Sequence, residues 1–277
     1  MKSKEKINCS IGILTLNCGD TLRRCLESLK DFGEIIICDG NSTDNTLEIA
    51  KEYGAKIIKQ YDSEKPNLRC VKDKASVRQK NMNAAIYDWY FFMDADDILP
   101  PETIGEIEQI VSNDSEFLVY KMPTKIIING KIINYASWYP AYQIRLFKRS
   151  INAKFKGKVH DHIVFDKTIY KAGIMKNYYY FIWPDERIKN FWNYQKIYTK
   201  READVFEINS WNTFLYWGIY HRLKIIAGFL IRMPLSYIRY GFKGRLPIRF
   251  ELLVFAQHFY LLYLLILKRI NIYYEQN

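Results

Sequence analysis

Four short apolar runs divide the first hundred residues: "IGILTL" at 11–16, "EIIICD" at 34–39, "AKIIKQ" at 55–60 and "WYFFMD" at 89–94. Each is strand-length, and helix-period patterns fill the gaps between them, so the runs read as buried strands. Asp20 is placed to cap a helix whose apolar face carries Leu22, Cys25, Leu26 and Leu29. Thr43 or Asp44 can open a second helix through Tyr53, ended by Gly54, and residues 75–86 read as a third. Strands alternating with helices over such short spans predict an α/β fold with an open, mostly parallel sheet.

Ligands of such sheets bind outside the carboxyl ends of the strands. Thr15-Leu16-Asn17, Asp39-Gly40 and Asp94-Ala95-Asp96-Asp97 all fall at those ends. Loop polarity explains any one of these clusters and explains three together less well. Residues i and i+2 of a strand share a face, so Asp94 and Asp96 are expected to point together into the crevice, with Asp97 turned elsewhere. Paired carboxylates beside a buried sheet are costly unless a cation neutralises them or one is protonated. A hard divalent ion with oxygen ligands, Mn2+ or Mg2+, meets that need and keeps positions open for phosphate.

Past Pro100-Pro101, which start another helix, "KIIINGKIINY" reads as a hairpin turning at Asn129-Gly130. Residues 142–149 read as a strand and "FKGKVHDHIVF" as a loop leading into another. From Asp185 onward the pattern is helical and aromatic. Residues beyond Tyr216 carry nine Lys and Arg against Glu251 and Glu275, interleaved with apolar runs. The longest, Leu252 to Leu267, is short for a bilayer span, so in-plane helices meeting anionic lipid are expected.

A composition of 49% hydrophobic and 26% charged residues excludes global disorder. The net charge of +11 favours an anionic partner: nucleic acid, acidic lipid or a phosphorylated substrate. Five cysteines without a CxxC pair predict reduced thiols in a cytosolic protein, not a disulfide framework or zinc site. The first apolar run is interrupted by Asn8, Ser10 and Thr15 and reads as a strand, not a secretory signal.

Four motifs stand in order: "TLN" (15–17), "DGNSTDNT" (39–46), "ASVRQKNMNAA" (75–85) and "DADD" (94–97). Together, over roughly residues 8–165, they resemble the inverting GT-A-type glycosyltransferases of family 2. The resemblance implies a GT-A domain over residues 1–215, its nucleotide-sugar half at about 8–100 and acceptor half at 101–215, followed by a basic helical region at 216–277. It implies that Asp39 accepts hydrogen bonds from the nucleobase or ribose and that Thr15 and Asn17 line the same pocket. Arg78 would meet the diphosphate or hold Asp94; Asp94 would contact ribose or metal, and Asp96 would ligate the metal directly. Ser42 to Thr46 are expected to act as a helix cap.

"GKVHDHI" (157–163) resembles the "VHE" stretch of bacterial members acting on lipopolysaccharide core and related glycans. Asp161 then stands where a glutamate is usual, as catalytic base, and His160 completes the metal shell or touches phosphate, with His162 a competitor. "RMPLSYIRYGFKGRLP" resembles the C-terminal portion of the same members. The implied partners are a nucleotide-sugar donor, a saccharide or lipid-linked acceptor and an anionic membrane surface. The implied place is the cytoplasm, peripheral on the inner face of its membrane.

A sugar-nucleotide-forming nucleotidyltransferase would share the sheet and carboxylates, but it wants a Gly-rich basic loop where "TLNCGDT" stands. A Rossmann dehydrogenase wants GxGxxG there. A nucleic-acid binder wants basic residues on its reading surface; here the excess charge gathers in an apolar tail, so no nucleic-acid partner is expected.

Overall fold

The four apolar runs are strands of one sheet. They are β1 (Ile7–Thr15), β2 (Phe32–Asp39), β3 (Lys56–Lys59) and β4 (Trp89–Asp94), separated by helices α1 (Gly19–Glu27), α2 (Thr46–Glu52) and α3 (Lys74–Asn83). The computed structural model describes residues 5–63, 65, 73–113, 115–157, 161–208 and 210–276. After β4 come β5 (Asp97–Ile98), α4 (Pro101–Ser112), β6 (Val119–Ile128), β7 (Lys131–Ile133), β8 (Ala141–Lys148), β9 (Lys154–Lys156), β10 (His162–Val164), β11 (Ala172–Ile174) and β12 (Tyr179–Ile182). Helices α5 (Asp185–Lys189), α6 (Phe191–Val205) and α7 (Trp211–Thr213) follow. A π-helical turn at Phe214–Tyr220 then leads into α8 (His221–Tyr240) and α9 (Ile248–Gln276).

The sheet order is β3-β2-β1-β4-β8-β6-β12-β5. The first four strands are parallel and β8 joins β4 antiparallel. Both faces of β1 and β4 are covered, which is why their sequences run apolar without alternation. One core layer packs α1, α2 and α4 on Ile11, Ile13 and Phe91; the other packs α3 and the β9–β10 ribbon on Tyr90, Phe92 and Phe147.

Helix starts differ from the sequence reading for a tertiary reason. Asp20 lies inside the first turn of α1, and the Gly19 N–H donates instead to Asp44 Oδ2 at 3.1 Å. The other oxygen of Asp44 accepts from Thr46 N at 3.0 Å, so α2 opens at Thr46 and not at Thr43 or Asp44. One carboxylate thus satisfies the orphan donors of two helices, a partnership across 25 residues that local capping rules do not register. The hairpin turns where expected: Asn129 and Gly130 both have positive φ, 50° and 72°, as a type I′ turn requires.

The chain divides into two compact units: Met1–Lys125 with Pro140–Ile182, and Ile126–Tyr139 with Trp183–Asn277. In the second, Trp183, Phe191 and Phe250 pack ring on ring, and α9 runs beside α6. α9 is one continuous helix; its Ile248–Asn271 segment is long and apolar enough by length and composition to cross a membrane.

Candidate active site

Strand register builds the site. Thr15 pairs with Asp39 across β1 and β2, and Leu14 pairs with Asp94 across β1 and β4. Three adjacent parallel strands therefore end together, placing Asp39 and Asp94 about 10 Å apart on either side of β1.

On the β2 side Asp39 is buried and closes its own loop. Its Oδ1 accepts from Thr15 Oγ1 at 2.7 Å and Ser42 Oγ at 2.6 Å, and its Oδ2 accepts from Ser42 N at 2.7 Å. Asn17, in left-handed conformation, donates its N–H to Ser42 Oγ and accepts from Thr43 N. The three predicted nucleotide residues are thus brought together, with Ser42 as the tie between them. Ser42 shapes this loop rather than capping α2.

On the β4 side α3 carries the cations. Asn81 anchors this helix: its amide donates to the carbonyls of Ile13 and Ile36 and accepts from Tyr90 Oη. The Tyr90 hydroxyl fills the space where Gly12 has no side chain; a Cβ there would lie 1.9 Å from it. One turn earlier on the same face Arg78 is buried, its guanidinium 4.6 Å from the Phe92 ring centre.

Arg78 bridges two carboxylates, with Nη2 2.6 Å from Asp94 Oδ1 and Nε 2.6 Å from Asp161 Oδ2. Lys74, a turn before it, approaches the same two acids at 3.5 Å and 3.7 Å. The four groups form a closed ring of alternating charge. Asp161 reaches it because Phe155 and Ile163 of the β9–β10 ribbon, with Phe165 just past it, bury against the Phe92 and Phe147 core, and Phe155 N donates to Gln79 of α3. Its neighbour His162 is exposed, as strand alternation dictates. His160 lies outside the described residues.

Asp94, Asp96 and Asp97 do not share one strand. β4 stops at Asp94, Ala95-Asp96 make a turn, and Asp97 begins β5. Asp96 is half-buried on that turn, while Asp97 is 1% exposed and accepts from Asp94 N at 2.9 Å. Arg145 stands over both acids from β8, 3.8 Å from Asp94 and 3.7 Å from Asp97. Its guanidinium lies 4.7 Å from the ring centres of Phe92 and of Tyr179, and donates to Tyr179 Oη and the Phe92 carbonyl. Lys74 and Arg145 were missed in the sequence. The signals were there: a Lys four residues before Arg78 on a helix, and a lone Arg within the apolar "IRLF" run.

These contacts set the charges. Burial opposes ionisation of Asp94, yet Lys74, Arg78 and Arg145 outweigh it and hold its carboxyl well below the usual range. Burial, reinforced by the Asp94 charge and opposed by Arg145, raises Asp97 to about 7. Folded Asp97 keeps its proton to that pH, whereas an unfolded one releases it near 4 (about 3.9). Its stabilising contribution is complete below the unfolded value and is lost as pH rises through 7. Asp97→Asn is expected to flatten the fall in melting temperature between pH 5 and 8, gaining on the order of a few kcal/mol at the upper end. Parallel wild-type and variant melting curves across that range would refute this.

The residues fit a divalent ion through Asp96. Asp96 is half-buried on the turn after β4 and offers oxygen donors of the type such ions take, next to Asp94, whose oxygens face Lys74, Arg78 and Arg145. Among the described residues no group of three His, Cys, Asp or Glu converges, so water or phosphate oxygens would complete the shell.

A parallel sheet closing on acidic strand ends, with cations presented by the helix before the fourth strand, defines an α/β protein of the GT-A class. Residues 10–178 match the family described as Glycosyl transferase family 2, more than half of the chain, which therefore belongs to that family. The chain is 29% identical over 151 residues to the SPbeta prophage-derived glycosyltransferase SunS of Bacillus subtilis, covering 54% of this chain and 33% of that one. It is 32% identical over 178 residues to an uncharacterized glycosyltransferase of Rickettsia felis, covering 61% and 58%. This chain therefore spans between a third and three fifths of those relatives' length. TarS 1–349 of S. aureus, solved in complex with UDP-GlcNAc, overlaps with a TM-score of 0.48 at 18% identity, covering 72% of this chain and 68% of that one.

Proposed function

We propose that this protein is an inverting, metal-dependent glycosyltransferase that moves a sugar from a nucleoside-diphosphate donor to a hydroxyl of a glycan or lipid-linked saccharide in surface-polysaccharide synthesis. The reading is carried by the charge ring of Lys74, Arg78, Asp94 and Asp161 at the strand ends, one turn from Asp96. A ring of that kind presents two cations to a diphosphate while keeping a carboxylate in reach of an incoming nucleophile.

In this reading Thr15, Asn17 and Asp39 shape the nucleoside end of the pocket, where Asp39 Oδ2 retains acceptor capacity beyond the Ser42 bond. Asp94 orients Arg78 and approaches the ribose. Asp96 holds the divalent ion, and the family resemblance assigns His160 to its shell or to phosphate; when bound, the ion stabilises charge on the departing diphosphate. A diphosphate arriving at Lys74 and Arg78 competes with Asp161 for the same cations. Once those cations turn to the diphosphate, the Asp161 carboxylate is released to face the incoming hydroxyl. The acceptor oxygen forms its bond to the anomeric carbon, its proton passes to Asp161, and the electron pair of the breaking C–O bond leaves with the diphosphate. Entry and departure on opposite faces invert the anomeric centre.

Asp96→Ala removes a turn carboxylate and little core volume. It is expected to leave the melting temperature within a few degrees of wild type and to cut metal-stimulated transfer about 100-fold or more. The check pairs a donor screen for thermal stabilisation in Mn2+ with transfer assays on any donor found. Full activity of the variant would remove Asp96 from the metal site; pyrophosphate exchange without sugar transfer would favour the nucleotidyltransferase.

A further inference from the structure

The second unit carries a surface that the catalytic reading does not use. On α8, Leu223, Ala227, Leu230, Ile231, Pro234 and Ile238 are all exposed, and their spacing puts them on one face. Ile238 is 82% exposed, as is Phe242 just past the helix end. The other face is protein: Ile226 and Phe229 are buried, with Phe229 stacked 5.2 Å from Phe255 of α9. Exposed Tyr216, Trp217 and Tyr220 precede α8, and exposed Arg232, Arg239 and Lys243 border the stripe.

We infer that α8 lies in the plane of an anionic lipid bilayer, its aliphatic stripe in the acyl boundary and its flanking cations on lipid phosphates. Charge decides between lipid and a second copy of the chain. No Asp or Glu occurs between Glu207 and Glu251, while that interval holds seven Lys and Arg. A two-fold contact through α8 would set like charges against each other with no local acid to pair them. Anionic headgroups supply the missing countercharge, and Trp and Tyr suit the headgroup boundary. The stripe itself is aliphatic and offers no polar side chain to a nucleic acid.

The same unit explains why α9, although long enough, belongs with a surface-lying arrangement. Near its start Glu251 is buried, 3.3 Å from Arg245 and hydrogen-bonded by Ser137. Near its end Lys268 Nζ donates to the carbonyls of Ala203, Asp204 and Phe206 at 2.8, 2.8 and 2.9 Å. Both ends are tied to one unit, so spanning would break at least one of the ties. Exposed Leu252, Phe259, Tyr263 and Ile266 then add in-plane contact.

Flotation of the full chain tests this independently of the catalytic reading. The protein is expected to float with phosphatidylglycerol-containing vesicles, to stay behind with pure phosphatidylcholine, and to be released by high salt or alkaline carbonate. The double variant Leu230→Glu, Ile238→Glu alters only exposed positions; it should keep its melting temperature and lose vesicle binding by at least about tenfold. Absence of flotation, binding unchanged in the variant, retention after carbonate (a span), or a dimer in sedimentation that the variant dissolves would each overturn the inference.

Discussion

Arg78→Ala is expected to abolish transfer and to destabilise the protein at the same time. The side chain is 2% exposed and is the shared partner of Asp94 and Asp161 at 2.6 Å each. Its removal leaves two carboxylates facing each other with, among the described residues, only Lys74 within ion-pair reach of both. Breaking a buried pair by deleting one partner costs about 3–5 kcal/mol, and loss of the fixed cation beside the leaving diphosphate costs about 100-fold or more in rate. The acid limb shifts too. Asp94, depressed by its cations, contributes stability above the ordinary carboxylate value that is lost as pH falls through its own. Without Arg78 that loss begins at higher pH. Arg78→Lys keeps the charge but cannot reach both acids from one planar fork, so it should regain stability before activity. Thermal melts from pH 4 to 8 with donor titrations would decide. An Ala variant of wild-type stability would mean that the ring carries no folding energy.

Asp161→Asn should separate binding from turnover. Loss of the base is expected to lower kcat by about 100- to 10,000-fold. Donor affinity should rise, because Lys74 and Arg78 are then no longer engaged by this carboxylate before a diphosphate arrives. Titration with the nucleoside diphosphate found in the donor screen, and with inorganic pyrophosphate, reads this directly. A merely structural Asp161 predicts weaker binding together with a lower melting temperature. Unchanged turnover would move the proton elsewhere, to His160 or His162.

Much of the fold was legible because parallel strands buried on both faces write themselves as short unbroken apolar runs. β1, β2 and β4 fall where those runs lie, and the Asn129-Gly130 turn follows from two positive φ angles. Asp94, Asp96 and Arg78 stood out as charges at strand ends or within a motif. Strand alternation would set Asp94 and Asp96 on one strand, whereas the chain turns between them. A turn that begins inside an acidic run leaves no change in polarity to read.

The chain alone determined that a parallel sheet forms, that acids gather at its carboxyl ends and that the basic charge concentrates in the C-terminal helices; these are consequences of local period and composition. Tertiary structure decided which charges meet. Lys74 and Asp161 are 87 residues apart in sequence and 3.7 Å apart in the site, Asp44 serves two helices at once, and α8 turns Phe229 inward and Ile238 out. Pairing across folded distance depends on which cores bury first against which, and Coulomb attraction acts only after packing has brought the partners within a few ångströms.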